Sequence, residues 1–187
     1  MEPISAAGTF LASAPDLMDP NFMHRVVLMC QHSSDGAYGL VVNCPAEVKV
    51  SMLMPDHPVL GSCEFPVHSG GPVGLDTLQF VHRVPDRISG GLEISDGLYL
   101  GGDLEQMAMC LAAEDEAATT VRLFLGYSGW SGGQLEQELS GGSWLPAPLS
   151  VDAVFMNDTH ATWREVVRSI GPASRGLEDL SPDVSWN

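Results

Sequence analysis

Residues 125–144, LGYSGWSGGQLEQELSGGSW, constrain the fold of this chain more than any other segment. They contain six glycines, two tryptophans and one tyrosine. Glycine destabilises regular helices and strands, so this density indicates tight turns or close backbone approach. The glycines lie on both sides of a short amphipathic run, QLEQEL. The segment therefore predicts a strand, a tight turn, a short helix and a second turn in succession.

The chain is strongly acidic. It has 24 Asp and Glu residues against 8 Lys and Arg residues, a formal net charge of −16 at pH 7. Nucleic-acid binding draws most of its affinity from basic side chains that displace counterions. Direct binding to nucleic acid or to an anionic membrane surface is therefore disfavoured. An acidic surface suits solubility, a salty cytoplasm or a basic protein partner.

Length and composition are those of one globular domain, with 187 residues, 44% of them hydrophobic and 17% charged. No apolar run approaches the roughly 20 residues that span a bilayer. Residues 1–15 lack the basic region and apolar stretch of a secretory signal. The four cysteines form no CxxC pair, so reduced thiols are expected. We expect a soluble cytoplasmic protein, and the sequence leaves its oligomeric state open.

The order of apolar segments predicts an α+β fold. Strands are predicted at 8–12, 25–31, 37–43, 77–83, 98–100, 120–125 and 151–155. Helices are predicted from Asp103, over about 133–140, and from Asp158 or Thr159 to Gly171. Because the strands come in hairpin-like groups, we expect a single compact domain with a mainly antiparallel sheet. About three helices pack on that sheet.

One motif resembles a hydrolase nucleophile. Residues 129–133, GWSGG, satisfy G-x-S-x-G, and Asp152 or Asp158 and then His160 follow in hydrolase order. That motif requires a sharp turn directly after a central parallel strand, whereas the strand here is predicted to end near Gly126. Ser131 also lies three residues before Gln134, which is the spacing of a helix capping box. The helix cap is the favoured interpretation.

Metal and phosphate sites have weaker support. His57, Cys63 and His68 lack the close spacing of zinc ligands, so no metal and no cofactor are predicted. The glycine-rich loop SGGPVG at 69–74 is not followed by GK[ST], so it is not a P-loop. We interpret it as a tight turn, with a backbone nest for a small anion as the alternative.

The helix predicted at 133–140 carries paired polar side chains. Gln134 and Glu138, four residues apart, share one face, whereas Glu136 and Glu138 do not and make a poor acid–base pair. A structural role for these groups is favoured over a role in lining a cleft. Trp130 and Trp144 bracket the helix, and tryptophan is enriched at interfaces, so part of the segment is a candidate docking surface.

Several blocks in order resemble the bacterial AlgH/YqgE family: residues 8–45, SGGPV at 69–73, GLYLGGDLE at 98–105 and residues 125–145. The resemblance implies one α+β domain over residues 1–171 with a bulged, mainly antiparallel sheet, followed by a polar C-terminal tail at 172–187. It implies no established enzymatic activity, because the family is labelled uncharacterised or a transcriptional regulator. Two positions depart from the family pattern, which often has glycine at Ser131 and commonly arginine at Cys44. Residues that match motif positions are Asp19, Phe22, Gly36, Ala37, Gly39, Asn43, Pro45, Gly70, Gly71, Pro72, Val73, Asp103, Gly126, Gly129, Trp130, Gln134, Leu135, Glu136, Glu138 and Trp144.

Two functional hypotheses follow. The first is a cytoplasmic binding or regulatory protein that acts through a protein partner and has no catalysis of its own; it predicts an exposed apolar or aromatic patch near Trp130 or Trp144. The alternative is an enzyme or small-ligand binder. Its pocket would gather Asn43, the Gly70–Gly71 loop with Pro72, and the Gln134–Glu138 helix.

Overall fold

The computed structural model describes residues 7–113, 115–177 and 179. The strands are β1 (Phe10–Ser13), β2 (Val26–Ser33), β3 (Gly36–Val41), β4 (Pro45–Lys49), β5 (Pro66–Ser69), β6 (Val73–His82), β7 (Leu92–Ser95), β8 (Leu98–Leu100), β9 (Val121–Ser131) and β10 (Trp144–Ala147). The helices are α1 (Val50–Leu53), α2 (Leu104–Ala113), α3 (Gln134–Ser140), α4 (Val151–Val154) and α5 (Thr159–Ser169).

These strands form a mainly antiparallel sheet. Its main path runs β10-β1-β2-β3-β9-β6-β8-β7, and the β4–β5 pair joins it beside β9. Of the recorded pairings in the described ranges, β5 with β9 is the parallel one. β2 and β3 form the predicted hairpin, and their register shifts between Met29 and Gln31, as in a β-bulge. The predicted α+β class with a bulged sheet is confirmed.

β9 lies at the centre of the sheet and changes partner along its length. Residues 121–127 pair with β6 or β5, and residues 128–131 pair with β3. Gly126 lies where the pairing changes, with a φ of 74°. A Cβ there would lie 2.6 Å from the carbonyl oxygen of Gly71, so the position favours glycine. The prediction that this strand ends near Gly126 was wrong, because the glycine bends the strand without ending it.

Two of the predicted helices begin at the predicted caps. Oδ1 of Asp103 accepts from the amide of Gln106 at 2.9 Å, and Oδ1 of Asp158 accepts from the amide of Ala161 at 2.7 Å. The third, α3, begins after Gly133, which has a φ of 79° and makes no side-chain cap bond. The hydroxyl of Ser131 therefore does not cap α3. The other contact of the predicted capping box does form, from the amide of Ser131 to Oε1 of Gln134 at 3.1 Å.

Three of the helices in the described ranges have seven residues or more, and two short ones were not predicted. The strand predicted at 151–155 is wrong, since Val151–Val154 form α4. A helical turn forms here because the hydroxyl of Ser150 accepts from the amide of Ala153 at 3.4 Å and caps the turn.

Alternate residues of β1 and β2 enter two different cores, because successive side chains in a strand point to opposite faces. Phe10 and Leu28 join one core with Trp163 of α5, whereas Leu11 and Val27 join another with the two tryptophans that bracket α3. The sheet is thus covered by α5 on one face and by α3 on the other. A third core lies under α2.

The predicted tail falls partly within the described residues. Residues 172–174 form a short 3₁₀ turn, and Leu177 packs against the core under α5. Residues 178 and 180–187 lie outside the described residues.

In the described ranges, no helix is long and apolar enough to cross a membrane.

Candidate functional site

A single carboxylate joins the two tryptophans that bracket α3. Oε2 of Glu138 accepts the indole N–H of Trp130 and that of Trp144, each at 2.8 Å. Its Oε1 accepts from Nε2 of Gln134 at 3.0 Å. Glu138 therefore uses both oxygens within this segment, and its described contacts hold the β9–α3–β10 connection together.

Both tryptophans are buried, at 7% exposed for Trp130 and 3% for Trp144. The two tryptophans themselves therefore do not form the exposed apolar or aromatic patch predicted near Trp130 or Trp144. Phe22 covers them, with its ring 6.5 Å from that of Trp130 and 5.3 Å from that of Trp144. The tryptophans lie beneath the surface, because Phe22 of the β1–β2 connection packs over them.

The hydroxyl of Ser131 bonds to Gln134, the first residue of α3. It donates to Oε1 of Gln134 at 3.2 Å, and the amide of Ser131 donates to the same oxygen at 3.1 Å. His160, the histidine in hydrolase order, lies instead at the start of α5 and lines a separate cleft. Within the described chain the GWSGG motif therefore joins β9 to α3 and does not form a nucleophile elbow.

The Gly70–Gly71 loop packs directly against the backbone of β9. The carbonyl oxygen of Gly70 accepts from the amide of Val41 at 2.9 Å and from the hydroxyl of Ser128 at 3.1 Å. Gly71 has a φ of 149°, and a Cβ there would lie 2.2 Å from the backbone of Tyr127. Close backbone approach explains these glycines and leaves Pro72 exposed at the surface.

Five of the predicted site residues line one cleft of about 400 Å³, which we call the aromatic cleft. They are Pro72, Trp130, Gln134, Glu138 and Trp144. The β1–β2 connection forms the opposite wall, with Leu17, Asp19, Asn21 and Phe22. The structure therefore brings together the Gly71–Pro72 loop and α3, which lie about sixty residues apart in sequence.

A second cleft of about 260 Å³, the loop cleft, adjoins the first and shares Asn21 and Pro72 with it. Its wall includes Gly71, Arg25 and Cys44. The exposed side chain of Leu75 stands at its edge. Together the two clefts make an elongated groove along the β1–β2 connection.

Asn43 lies away from the aromatic cleft and is buried. Its Oδ1 accepts from the amide of Val26 at 2.8 Å, and its Nδ2 donates to the carbonyl oxygens of His24 and Thr159, both at 3.0 Å. The side chain thus holds the end of the β1–β2 connection against the start of α5. In the structure it positions the groove and does not line it.

The sequence did not single out Asn21, Arg25 or Leu75 as groove residues. They lie in loops or at a strand edge, where no periodic pattern marks them. One signal was present for Arg25: it is one of eight basic residues in a chain of net charge −16. Its Nη1 donates to the carbonyl oxygen of Asn43 at 3.2 Å, and its Nε has no hydrogen-bond partner in the described residues.

The geometry defines a single-domain α+β protein with a bulged sheet and a groove between the β1–β2 connection, the Gly71–Pro72 loop and α3. The AlgH-like family model matches residues 10–175. The chain belongs to the AlgH-like family, which confirms the resemblance seen in the sequence.

Relatives cover most of the chain. A UPF0301 protein of Chlorobaculum tepidum is 40% identical over 164 residues, 88% of this chain and 86% of that protein. A UPF0301 protein of Vibrio vulnificus is 33% identical over 178 residues, 91% of this chain and 94% of that protein. The names of these relatives state no activity or ligand, so membership of the family leaves the function unknown.

Solved structures share the fold. The solution structure of the AlgH protein from Pseudomonas aeruginosa has a TM-score of 0.71 at 26% identity and covers 91% of this chain and 92% of that one. The crystal structure of protein DIP2367 from Corynebacterium diphtheriae has a TM-score of 0.73 at 25% identity and covers 97% of this chain and 93% of that one.

In the described residues no group of three or more His, Cys, Asp or Glu side chains is placed to hold a metal ion.

Proposed function

We propose that this protein works in the cytoplasm as a non-catalytic binding or regulatory protein, and that the groove formed by the aromatic and loop clefts holds a segment of a protein partner. The observation that carries the proposal is the convergence of three remote segments, 17–25, 69–75 and 129–144, on one elongated groove. An elongated groove matches an extended peptide better than a compact small molecule.

The chemistry of the groove and of the whole chain indicates the partner. Met18 and Leu75 lie in or beside the segments that form the groove and are 70% and 64% exposed, so they offer apolar contact area. The net charge of −16 favours encounters with a basic partner, and Asp19 places a carboxylate in the aromatic cleft itself. The occupant is therefore a segment with apolar and basic side chains. A cytoplasmic site of action agrees with four cysteines that are all free thiols.

A matched pair of surface leucines tests this proposal. A photo-crosslinking amino acid is placed at Leu75, beside the groove, or at Leu92 on β7, which is also 64% exposed. We expect the variant at Leu75 to crosslink one protein in cells and the variant at Leu92 to leave that protein uncrosslinked. A peptide from the crosslinked region should then bind the purified chain, and Leu75→Glu should weaken it. Equal crosslinking from both positions, or a peptide that does not bind, would refute the proposal.

A small-ligand binder is the second candidate, and one observation favours it. Asp19 and Asn21 of the β1–β2 connection line the aromatic cleft together with Gln134 and Glu138 of α3, so polar groups from separate segments converge there. The described hydrogen bonds engage both oxygens of Glu138 and Oε1 of Gln134. The polar groups left for a ligand are Asp19, Asn21 and the second N–H of the Gln134 amide. Amide chemical shifts of purified protein distinguish the two: a small ligand perturbs the aromatic cleft alone, and a peptide perturbs both clefts.

A further inference from the structure

A third cleft, the histidine cleft, lies at the end of the β1–β2 connection and shares Arg25 with the loop cleft. Its volume is about 630 Å³. One wall is formed by residues 23–25 and the other by the first residues of α5, with Pro45 between them. The proposed partner groove does not include α5, so this cleft is a separate feature of the molecule.

Two side-chain nitrogens at the histidine cleft are buried and have no hydrogen-bond partner in the described chain: Nε2 of His24 and Nε of Arg25. His24 is only 5% exposed, and its ring stacks on Trp163 with centroids 4.3 Å apart. Its backbone has a φ of 52°, which is rare for a residue with a Cβ and costs conformational energy. Buried polar atoms without a partner are uncommon in folded proteins. An anion would satisfy Nε of Arg25, which is always a donor, and Nε2 of His24 once the imidazole is protonated.

The start of α5 supplies backbone donors to the same cleft. The amides of Thr159 and His160 belong to its first turn, and neither donates to another residue in the described ranges. The side chain of Asp158 accepts from the amide of Ala161, one residue further on. The first amides of an α-helix carry partial positive charge and bind anions.

Two arginines, Arg25 and Arg164, lie close enough to His24 at the histidine cleft to act on its charge, although the whole chain is acidic. Burial lowers the pKa of His24, a hydrogen bond with the backbone of Pro15 raises it, and the charges of His160, Arg25 and Arg164 lower it further. Within the described chain neither arginine forms an ion pair with a carboxylate. Asp158 is the one acidic residue among those that line the cleft.

We propose that the histidine cleft binds the phosphate group of a phosphate monoester. Arg25, His24 and the two amides of α5 donate hydrogen bonds to its oxygens. A phosphate group presents three acceptor oxygens and a charge of about −2, which suits several donors that converge from two segments. A carboxylate has two oxygens and one charge and satisfies fewer of them. A small metabolite and a phosphorylated side chain present the same group.

The test titrates the ¹⁵N-labelled full chain with inorganic phosphate and with a phosphoserine peptide, at constant ionic strength set with sodium chloride. We expect saturable shifts of the amide resonances of Thr159 and His160. The pKa of His24, followed by its ring resonances, should rise on binding, because an adjacent anion stabilises the imidazolium against the effects of Arg25, His160 and Arg164. A peptide that binds more tightly than inorganic phosphate indicates a protein-borne phosphate, and one that binds no more tightly indicates a phosphate of a small molecule. Saturable binding of inorganic phosphate supports the site in both cases.

Variants decide whether the binding is specific. His160→Gln alters an exposed side chain, keeps the fold and should weaken phosphate binding about threefold or more, and Arg25→Gln about tenfold or more. Arg168→Gln, at the other end of α5, is the matched control and should leave the affinity unchanged. Shifts that do not saturate would overturn the proposal. Equal weakening by His160→Gln and Arg168→Gln would also overturn it, because it would show a general charge effect.

Discussion

The carboxylate of Glu138 offers a quantitative test of the fold around the groove. Glu138→Ala removes the acceptor of two indole N–H groups, those of Trp130 and Trp144, which both belong to buried side chains. A buried donor left without a partner costs about 1–3 kcal/mol. Because Glu138 is half-buried, water compensates part of this loss, and we expect the free energy of unfolding to fall by about 2–4 kcal/mol. A domain with a stability of about 5–15 kcal/mol stays folded after such a loss.

Two further variants separate the hydrogen bonds from other effects. Glu138→Gln keeps one acceptor oxygen and should cost about 1–2 kcal/mol, less than the alanine variant. Glu165→Ala is the control: Glu165 lies on α5, is exposed, and pairs with Arg168 at 3.5 Å. An exposed ion pair of this kind contributes about 0–1 kcal/mol, so the control should unfold close to the wild-type denaturant concentration.

Urea denaturation followed by circular dichroism measures these free energies, and the indole ¹H–¹⁵N resonances report on the contact itself. In Glu138→Gln the resonances of Trp130 and Trp144 should move. The resonance of Trp163, whose indole N–H donates to the carbonyl oxygen of Ser13 at 3.0 Å, should not. If Glu138→Ala lowers the free energy of unfolding by less than about 0.5 kcal/mol, the reasoning is refuted, since changes that small are typical of surface positions.

Three further predictions concern stability. Gly71→Ala should lower the free energy of unfolding by at least about 2 kcal/mol in urea denaturation, because the added carbon meets the backbone of Tyr127. Gly90→Ala is the control: Gly90 has a φ of 78° but open space around it, so its variant should lose less. Equal losses would contradict the steric argument. Asp158→Ala should cost about 1 kcal/mol through loss of the α5 cap, and unchanged stability would show that the cap contributes nothing. Stability should also fall as the pH drops below 6.5, because burial lowers the pKa of His68 to about 3 in the folded protein, whereas the unfolded chain takes up the proton near 6.5. The loss from this group is about 2 kcal/mol at pH 5, and a His68→Asn variant whose stability depends on pH as steeply as the wild type's would contradict it.

Local signals in the sequence predicted the longer helices. α2 and α5 each have an aspartate that caps the first turn and an apolar face that recurs at helical spacing. Both signals depend on neighbours within four residues, so they need no knowledge of the rest of the fold. The hairpin of β2 and β3 was predictable for the same reason.

Long-range pairing decided the elements that the sequence missed. β4, β5 and β10 have four or five residues each, and they are strands because β5 pairs with β9 and β10 pairs with β1. An apolar run this short fits a strand and a helical turn equally well, which is also why 151–155 was assigned to the wrong class. β9 continued past Gly126 because β3 supplied new partners, and no local pattern reports that.

The candidate site was predictable where its contacts are local. Gln134 and Glu138 were expected to share a helix face, and they do, at 3.0 Å. The contact of Glu138 with both tryptophans joins residues six and eight positions away across a turn, and spacing alone does not give that geometry. The wall that faces them comes from residues 17–22, more than a hundred positions away. Only the order of strands in the sheet brings it there.

The total charge of this chain says little about the charge at one cleft, since exposed charges are screened beyond about 8–10 Å at physiological ionic strength. The histidine cleft illustrates this, because Arg25 and Arg164 act on His24 and Asp158 is the one acidic residue among those that line the cleft. Exclusion of nucleic acid from composition depends on the many phosphate contacts that a duplex requires. A single phosphate group needs only a few hydrogen-bond donors that point to one position, partly shielded from solvent. An acidic chain can therefore disfavour nucleic acid and still provide a site for one phosphate group, and the salt dependence of phosphate binding should be correspondingly shallow.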